Sequence, residues 1–177
     1  VHEETLDCTV HFVITVQEEV GLRGARIVAY KLDPTAAIIV DTMPSGGTPD
    51  VSSTRHLTME IGKGPVLTLI SQSGGGGAIA QPGMLRFIEG VAQQLEIGYQ
   101  RALFYGGNSD AAAVHLVRSG IPTGIINLAR RYSHSPVETL DLQDAVDTLH
   151  WLWACVQQFS DETDLSFLGA VSLVDEA

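Results

Sequence analysis

Ala36 to Val40 read AAIIV, an uninterrupted apolar run that stops at Asp41. A strand without polar alternation is buried on both faces, and such strands belong to parallel sheets covered by helices on each side. The rest of the chain supports that architecture. Cys8 to Val16, CTVHFVITV, is rich in β-branched and aromatic residues and predicts a strand. Gly21 to Leu32 predicts a helix ending near Asp33-Pro34. Arg55 to Ser71 holds two strand-like runs around GKGP. Pro82 to Glu96 is amphipathic and starts with proline, where the missing N–H costs nothing. Tyr99 to Tyr105 predicts a strand closed by Gly106-Gly107. Ser109 to Ser119 predicts a helix stopped by Gly120 and Pro122. Thr123 to Leu128 predicts a strand running into ARRYSHSP, and Asp141 to Phe159 a long helix. TMPSGGTPDVSST and SQSGGGG predict loops, and the tail from Ser160 is weakly patterned. Strands alternating with helices predict an α/β sandwich with a largely parallel sheet. No repeat or linker divides residues 1–177, so one domain is expected.

Charge removes several function classes. The formal net charge is −11 and no basic run exists to grip phosphates, so no nucleic-acid partner is expected. The longest apolar runs, AAIIV and WLWACV, are too short to span a bilayer, so no membrane partner is expected either. The first residues, VHEETLD, are polar and acidic and read as no signal peptide. Cys8 and Cys155 stand far apart and read as two free core thiols in a reducing cytoplasm. The chain starts with Val rather than Met, as at a processing site or fragment edge.

In parallel α/β sheets, ligands bind beyond the carboxyl ends of the strands. After the first predicted strand come Gln17, Glu18 and Glu19. After the second comes Asp41. Gly106, Gly107, Asn108, Ser109 and Asp110 come after the strand ending at Tyr105, and His134 after TGIINL. Glu, Asp and His form a metal-ligand set. Each also has a bland reading: Glu18-Glu19 as a solvated turn, Asp41 as a loop cap, His134 as a surface histidine. SGGGG, Ser73 to Gly77, lacks the Gly-Lys-Ser/Thr ending of a phosphate loop and reads as flexible. GNSDA nearly matches the G-x-S-x-G nucleophile elbow, but Ala111 stands in place of the last glycine. Ser109 reads as a helix N-cap, with a serine nucleophile as the alternative. His2, His11, His56, His115 and His150 have no ligand spacing. Trp151 and Trp153 read as helix core.

TVQEEVGLRGA, IIVDTMPSGGTP, GGNSDAAAVHLVRSGIPT and ARRYSHSPVETLDLQD together resemble the glutamyl/deblocking aminopeptidase family. These are dinuclear metallo-exopeptidases that assemble into hollow tetrahedral particles. The resemblance runs from about Cys8 to Phe159. It implies a zinc-exopeptidase-like α/β/α sandwich, with Glu18 as general base and Glu19 as a metal ligand. It implies Glu19 and His134 on one metal and Asp41 on the other, with zinc or cobalt as the metals and peptides as substrates. Gly106, Gly107 and Asp110 lie where the family's Gly-Gly-Thr-Asp-Ala motif meets the substrate, although Asn108-Ser109 replace the threonine. A homo-oligomer is implied for the complete enzyme.

Relatives carry a further histidine, a bridging aspartate and an inserted β-barrel domain upstream of the matching segment. Neither His2 nor Asp7 has the surroundings to replace those ligands. The chain therefore reads as the C-terminal part of such a catalytic domain, holding one metal or none and turning over slowly. The alternatives are a non-catalytic remnant or subunit of the same fold and a serine hydrolase using Ser109. Some relatives carry cellulase labels, but no carboxylate pair with aromatic sugar platforms supports that activity here.

Overall fold

The computed structural model describes residues 5–49, 51–52, 57–74 and 76–168. Strand β1 (Ala37–Pro44) pairs in parallel with β5 (Thr123–Arg130), from Ala37 opposite Thr123 to Pro44 opposite Arg130. Strand β2 (Val66–Ser73) pairs in parallel with β4 (Gln100–Tyr105). The two pairs meet antiparallel, with Val66 and Leu67 opposite Asn127 and Ile126. Because β4 fills one edge of β2, β3 (Gly76–Ile79) shares the other edge with β5, pairing antiparallel from Ile70 onward. The sheet is thus mixed, with its two longer pairings parallel.

Helices cover both faces. Ile38 packs with the core of α2 (Pro82–Gln94) and α4 (Leu142–Gln158), built on Leu67, Met84, Ile88, Val91, Ile126 and Trp151. Ala37 and Ile39 pack instead with Ala25 and Ala29 of α1 (Arg23–Leu32) and with Val114, at the end of α3 (Ala111–Val114), and Val117. Alternate residues of one strand point to opposite faces, so the helices form two layers around the sheet. Helix starts obey local chemistry. Gln81 Oε1 accepts from the Met84 N–H and Asp141 Oδ1 from the Gln143 N–H, each capping an otherwise orphaned donor. Trp151 is fully buried and its Nε1 donates to the Ile88 carbonyl at 2.8 Å. Trp153, expected in the core, is 44% exposed, because it falls on the outer side of α4.

Four other expectations change. Cys8–Val16 is no strand: among the described residues it joins no ladder, and Phe12 and Ile14 are 85% and 98% exposed. Its composition favours β structure, but a strand forms only with a partner. Of the predicted SGGGG loop, Gly76 and Gly77 form β3, since a Cβ on Gly77 would collide with the Ser71 carbonyl and glycine permits that approach. Helix α3 is a single turn, because the chain turns left-handed at Arg118 and Gly120 before Pro122. Of the two strand-like runs around GKGP only the second, β2, is a strand; residues 57–60 are irregular. His2, His56, Arg55, Gly75 and the end of the tail lie outside the described residues. Cys8 and Cys155 are both free, and burial pushes the Cys155 thiol up to about 12. No helix among the described residues is long and apolar enough to cross a membrane.

Asp144, in the first turn of α4, is buried and accepts from the Gly62 and Gly64 N–H groups at 2.7 and 2.8 Å. It closes the turn that leads into β2. Asp144→Ala leaves those donors unpaired and should cost about 2–3 kcal/mol, read as a lower urea midpoint at unchanged m-value.

Candidate active site

The segment before α1 is folded by its own backbone. Gln17 is left-handed at φ 60°, and Gly21 and Leu22 have φ 117° and 54°. The N–H groups of Gly21 and Leu22 donate to the Glu18 carbonyl at 3.1 and 2.9 Å, and those of Arg23 and Gly24 to Gln17 and Val16 at 3.3 and 3.0 Å. Helix α1 has no side-chain cap because upstream carbonyls take its first donors. Gly24 is required by space: a Cβ there would sit 2.5 Å from the Val16 carbonyl oxygen and 2.7 Å from its nitrogen. The turn thus presents Glu18 and Glu19 on a fixed backbone.

Asp41 lies inside β1, opposite Asn127, and not after the strand. The strand runs on past the apolar residues because β5 continues to pair with it as far as Arg130. Asp41 is half-buried, and its Oδ1 accepts from the Thr42 N–H at 2.6 Å. Asp110 comes from the loop after β4 and is buried. Thr15 Oγ1 donates to its Oδ2 at 2.6 Å, tying this loop to the Glu18-Glu19 segment. His134 sits beyond β5 in a left-handed conformation, φ 58°, and its Nε2 lies 3.1 Å from Glu19 Oε1.

The electrostatics define one cluster. Burial, then Asp41, Glu19 and Asp110, push the Glu18 carboxyl above its ordinary value, and His134 pulls it down. Burial also raises Asp41, against the Thr42 N–H and Arg130, while Asp110 and Glu19 add to the rise. The structure therefore brings Glu18, Glu19, Asp41, Asp110 and His134 to one edge. It does not bring Gly106 or Gly107 into hydrogen-bond contact with that group. Gly106 donates to the Gln72 carbonyl at 2.8 Å, and Gly107 fits under the Phe104 ring where a Cβ would clash. Asn108 Nδ2 bonds the Ser73 and Gly76 carbonyls, holding the β2–β3 hairpin. Ser109 is no N-cap: Asp110 occupies that position, and Ser109 Oγ is buried without a hydrogen-bond partner. Among the described residues no base pairs with that hydroxyl, which removes the support for a serine nucleophile.

Sequence reading missed Thr15, Arg130 and Glu138. Glu138 Oε1 pairs with the Arg130 guanidinium and accepts from the His134 N–H at 2.7 Å. No residue spacing points to Glu138; its partners are set by the fold.

The donor set suits a divalent metal. Two ligands about 2.0–2.1 Å from a tetrahedral zinc lie roughly 3.3 Å apart, close to the Glu19–His134 separation. Asp110 Oδ1 and Arg130 Nε, both buried without partners, add unsatisfied polar atoms to the region. Among the described residues, however, no three His, Cys, Asp or Glu side chains are grouped to hold a metal ion. Shallow surface clefts beside Tyr30 and Arg118 and beside Arg86 and Asp164 are lined by none of the residues of this cluster.

A profile of the M42 glutamyl aminopeptidase family matches residues 1–150. The chain belongs to that family. It is 30% identical over 160 residues to the glutamyl aminopeptidase of Lactococcus lactis, covering 90% of this chain and 42% of that one. The aminopeptidase APDkam598 of Desulfurococcus kamchatkensis superposes with a TM-score of 0.82 at 34% identity, covering 89% of this chain and 44% of its own. The TET1 peptidase of Pyrococcus horikoshii, described as assembling into a tetrahedron or a large octahedral shell, superposes at 0.65 with 28% identity, over 82% and 40%. The chain spans less than half the length of each.

Two variants test the geometry in metal-free protein. Gly24→Ala forces the Val16 backbone away and should cost about 1–3 kcal/mol in a denaturant titration. Glu18→Gln should raise the melting temperature at neutral pH. A raised folded-state pKa means that ionised Glu18 opposes folding, a cost that fades as pH falls through the folded value and is gone below the unfolded one. Glu18 is only partly buried, so the gain is small, on the order of 1–2 °C, and should disappear near pH 4.

Proposed function

We propose that this chain carries part of the active site of a metal-dependent aminopeptidase that releases N-terminal residues from peptides. The observation supporting this most is the 3.1 Å approach of Glu19 to His134, with Glu18, Asp41 and Asp110 facing the same edge. Glu19 and His134 would hold one divalent ion, zinc or cobalt, and Asp41 a second. Bound there, such ions supply Lewis acidity and lower the pKa of water. Glu18 is adjacent in sequence yet free of the His134 ion pair, which suits a general base. It takes a proton from the attacking water and returns it to the amine nitrogen as the C–N bond breaks, ending as the carboxylate it began. Asp110, with the Gly106-Gly107 turn behind it, is assigned to the substrate. The peptide's free N-terminus would be taken up at this edge, so that cleavage would remove one terminal residue. For the complete enzyme we propose a homo-oligomer, in keeping with the assembly described for the Pyrococcus horikoshii peptidase.

Glu19, His134 and Asp41 are three donors, too few to saturate two ions. The chain alone holds one ion or none and turns over slowly. The lack of any three grouped donors among the described residues also favours a second reading, a non-catalytic remnant or subunit of this fold. The test is to titrate the purified chain with zinc and cobalt and to measure release of N-terminal residues from peptides. The expected result is weak metal binding, reduced about tenfold or more by His134→Ala or Glu19→Ala, and slow release lost in Glu18→Gln. Rapid turnover overturns the incomplete-site reading. No binding and no release support the second. Chelator-resistant hydrolysis lost in Ser109→Ala would revive the serine hydrolase.

A further inference from the structure

Resting on the metal-site reading above, we propose that Glu138 is a positioning residue that holds His134 over Glu19, with Arg130 as its anchor. Three observations meet at this carboxylate. Its Oε1 accepts from the His134 backbone N–H at 2.7 Å and pairs with the Arg130 guanidinium. The segment it spans is closed by a two-way bridge between Arg131 and Thr139, at 2.9 and 3.2 Å, so residues 131–139 form one closed loop. Within that loop Tyr132 and His134 are both left-handed, φ 62° and 58°. Non-glycine residues hold that conformation only when their surroundings fix them. Glu138 is the side-chain contact to the His134 backbone, beside the Ser135 N–H to Tyr132 carbonyl bond at 3.1 Å, while the His134 side chain is two-thirds exposed.

Arg130 explains why the clamp is rigid. Its side chain is 10% exposed, and it ends β5, where its carbonyl accepts from the Ser45 N–H at 2.8 Å. It is also close enough to Asp41 to favour that carboxylate's charged form. One buried guanidinium on the sheet therefore faces the Asp41 side and, through Glu138, sets the His134 side. A metal-ligating histidine held through its backbone presents its ring without using either ring nitrogen, leaving Nε2 for the ligand position. Supporting partners of this kind commonly change metal affinity by roughly 10–100-fold.

The test uses Glu138→Ala and Glu138→Gln in the whole chain, with two readouts. Without metal, hydrogen exchange of the His134 amide should accelerate at least about tenfold in Glu138→Ala, while Glu138→Gln, which keeps an acceptor oxygen, should recover much of the protection. With zinc, affinity should fall about tenfold in Glu138→Ala and less in Glu138→Gln. A merely structural role would lower the melting temperature and leave the zinc affinity of the folded protein unchanged. Unaltered His134 exchange in Glu138→Ala overturns the clamp. If the parent chain binds no zinc, the non-catalytic reading is favoured, and the exchange measurement still decides the clamp.

Discussion

The parallel ladder between β1 and β5 is the constraint on which the site depends. Its register sets Asp41 opposite Asn127 and brings Arg130 beside Pro44. The same ladder ends where Ser45 donates to the Arg130 carbonyl, so two chain segments leave the sheet at the same point. A one-residue slip would turn Asp41 to the other face of the sheet and carry Arg130 away from Glu138. Apolar packing on both faces opposes such a slip: Ile38 belongs to the core under α2 and α4, and Ile39 to the one under α1. The core thus fixes the register, and the register fixes the polar residues at its end.

Two short-range devices complete the edge. The turn before α1 uses its own carbonyls in place of side-chain caps, which leaves the Glu18 and Glu19 carboxylates uncommitted to the helix. The Thr15–Asp110 bond then joins this turn to the loop after β4 across 95 residues. A hydroxyl-to-carboxylate bond of this kind holds Asp110 without neutralising it. The result is a set of acidic groups gathered by neutral contacts, with Arg130 as a neighbouring counter-charge.

Much of this was legible in the sequence. AAIIV, TGIINL and the helices opened by Pro82 and Asp141 appear close to where the pattern put them, but AAIIV is less buried than its composition implies: β1 is an edge strand, and Val40 is 48% exposed. Glu18, Glu19, Asp41 and His134 stand out in the sequence because each comes just after an apolar or β-rich run, where a parallel sheet places its ligands. The misreadings share one cause. Cys8–Val16 has strand composition without a described partner, and the glycines of β3 look like a loop until their close approach to Ser71 is known. Trp153 shares the apolar character of Trp151 but not its face. Glu138 was invisible as a functional residue because its meaning lies in contacts to Arg130 and to a backbone N–H, neither of which a residue type encodes.

The stability of the edge and its chemistry pull in opposite directions. A chain of net charge −11 gains nothing by gathering more carboxylates. Glu18 and Asp41 are both shifted toward protonation by burial and by neighbouring carboxylates, so in the metal-free state they resist ionising. A cation would reverse that balance, because each repulsive pair becomes a shared attraction to one positive centre. Arg130 meets only part of that need: it pairs with Glu138 and favours the charged form of Asp41, yet the Asp41 carboxyl still stands above its ordinary value. The cluster is thus costly alone, and a small divalent cation, as proposed above, would offset that cost. The supporting contacts, Gly24 on Val16, Thr15 on Asp110 and Glu138 on the His134 backbone, engage none of the Glu18, Glu19 and His134 side chains, and those of Glu19 and His134 remain mostly exposed.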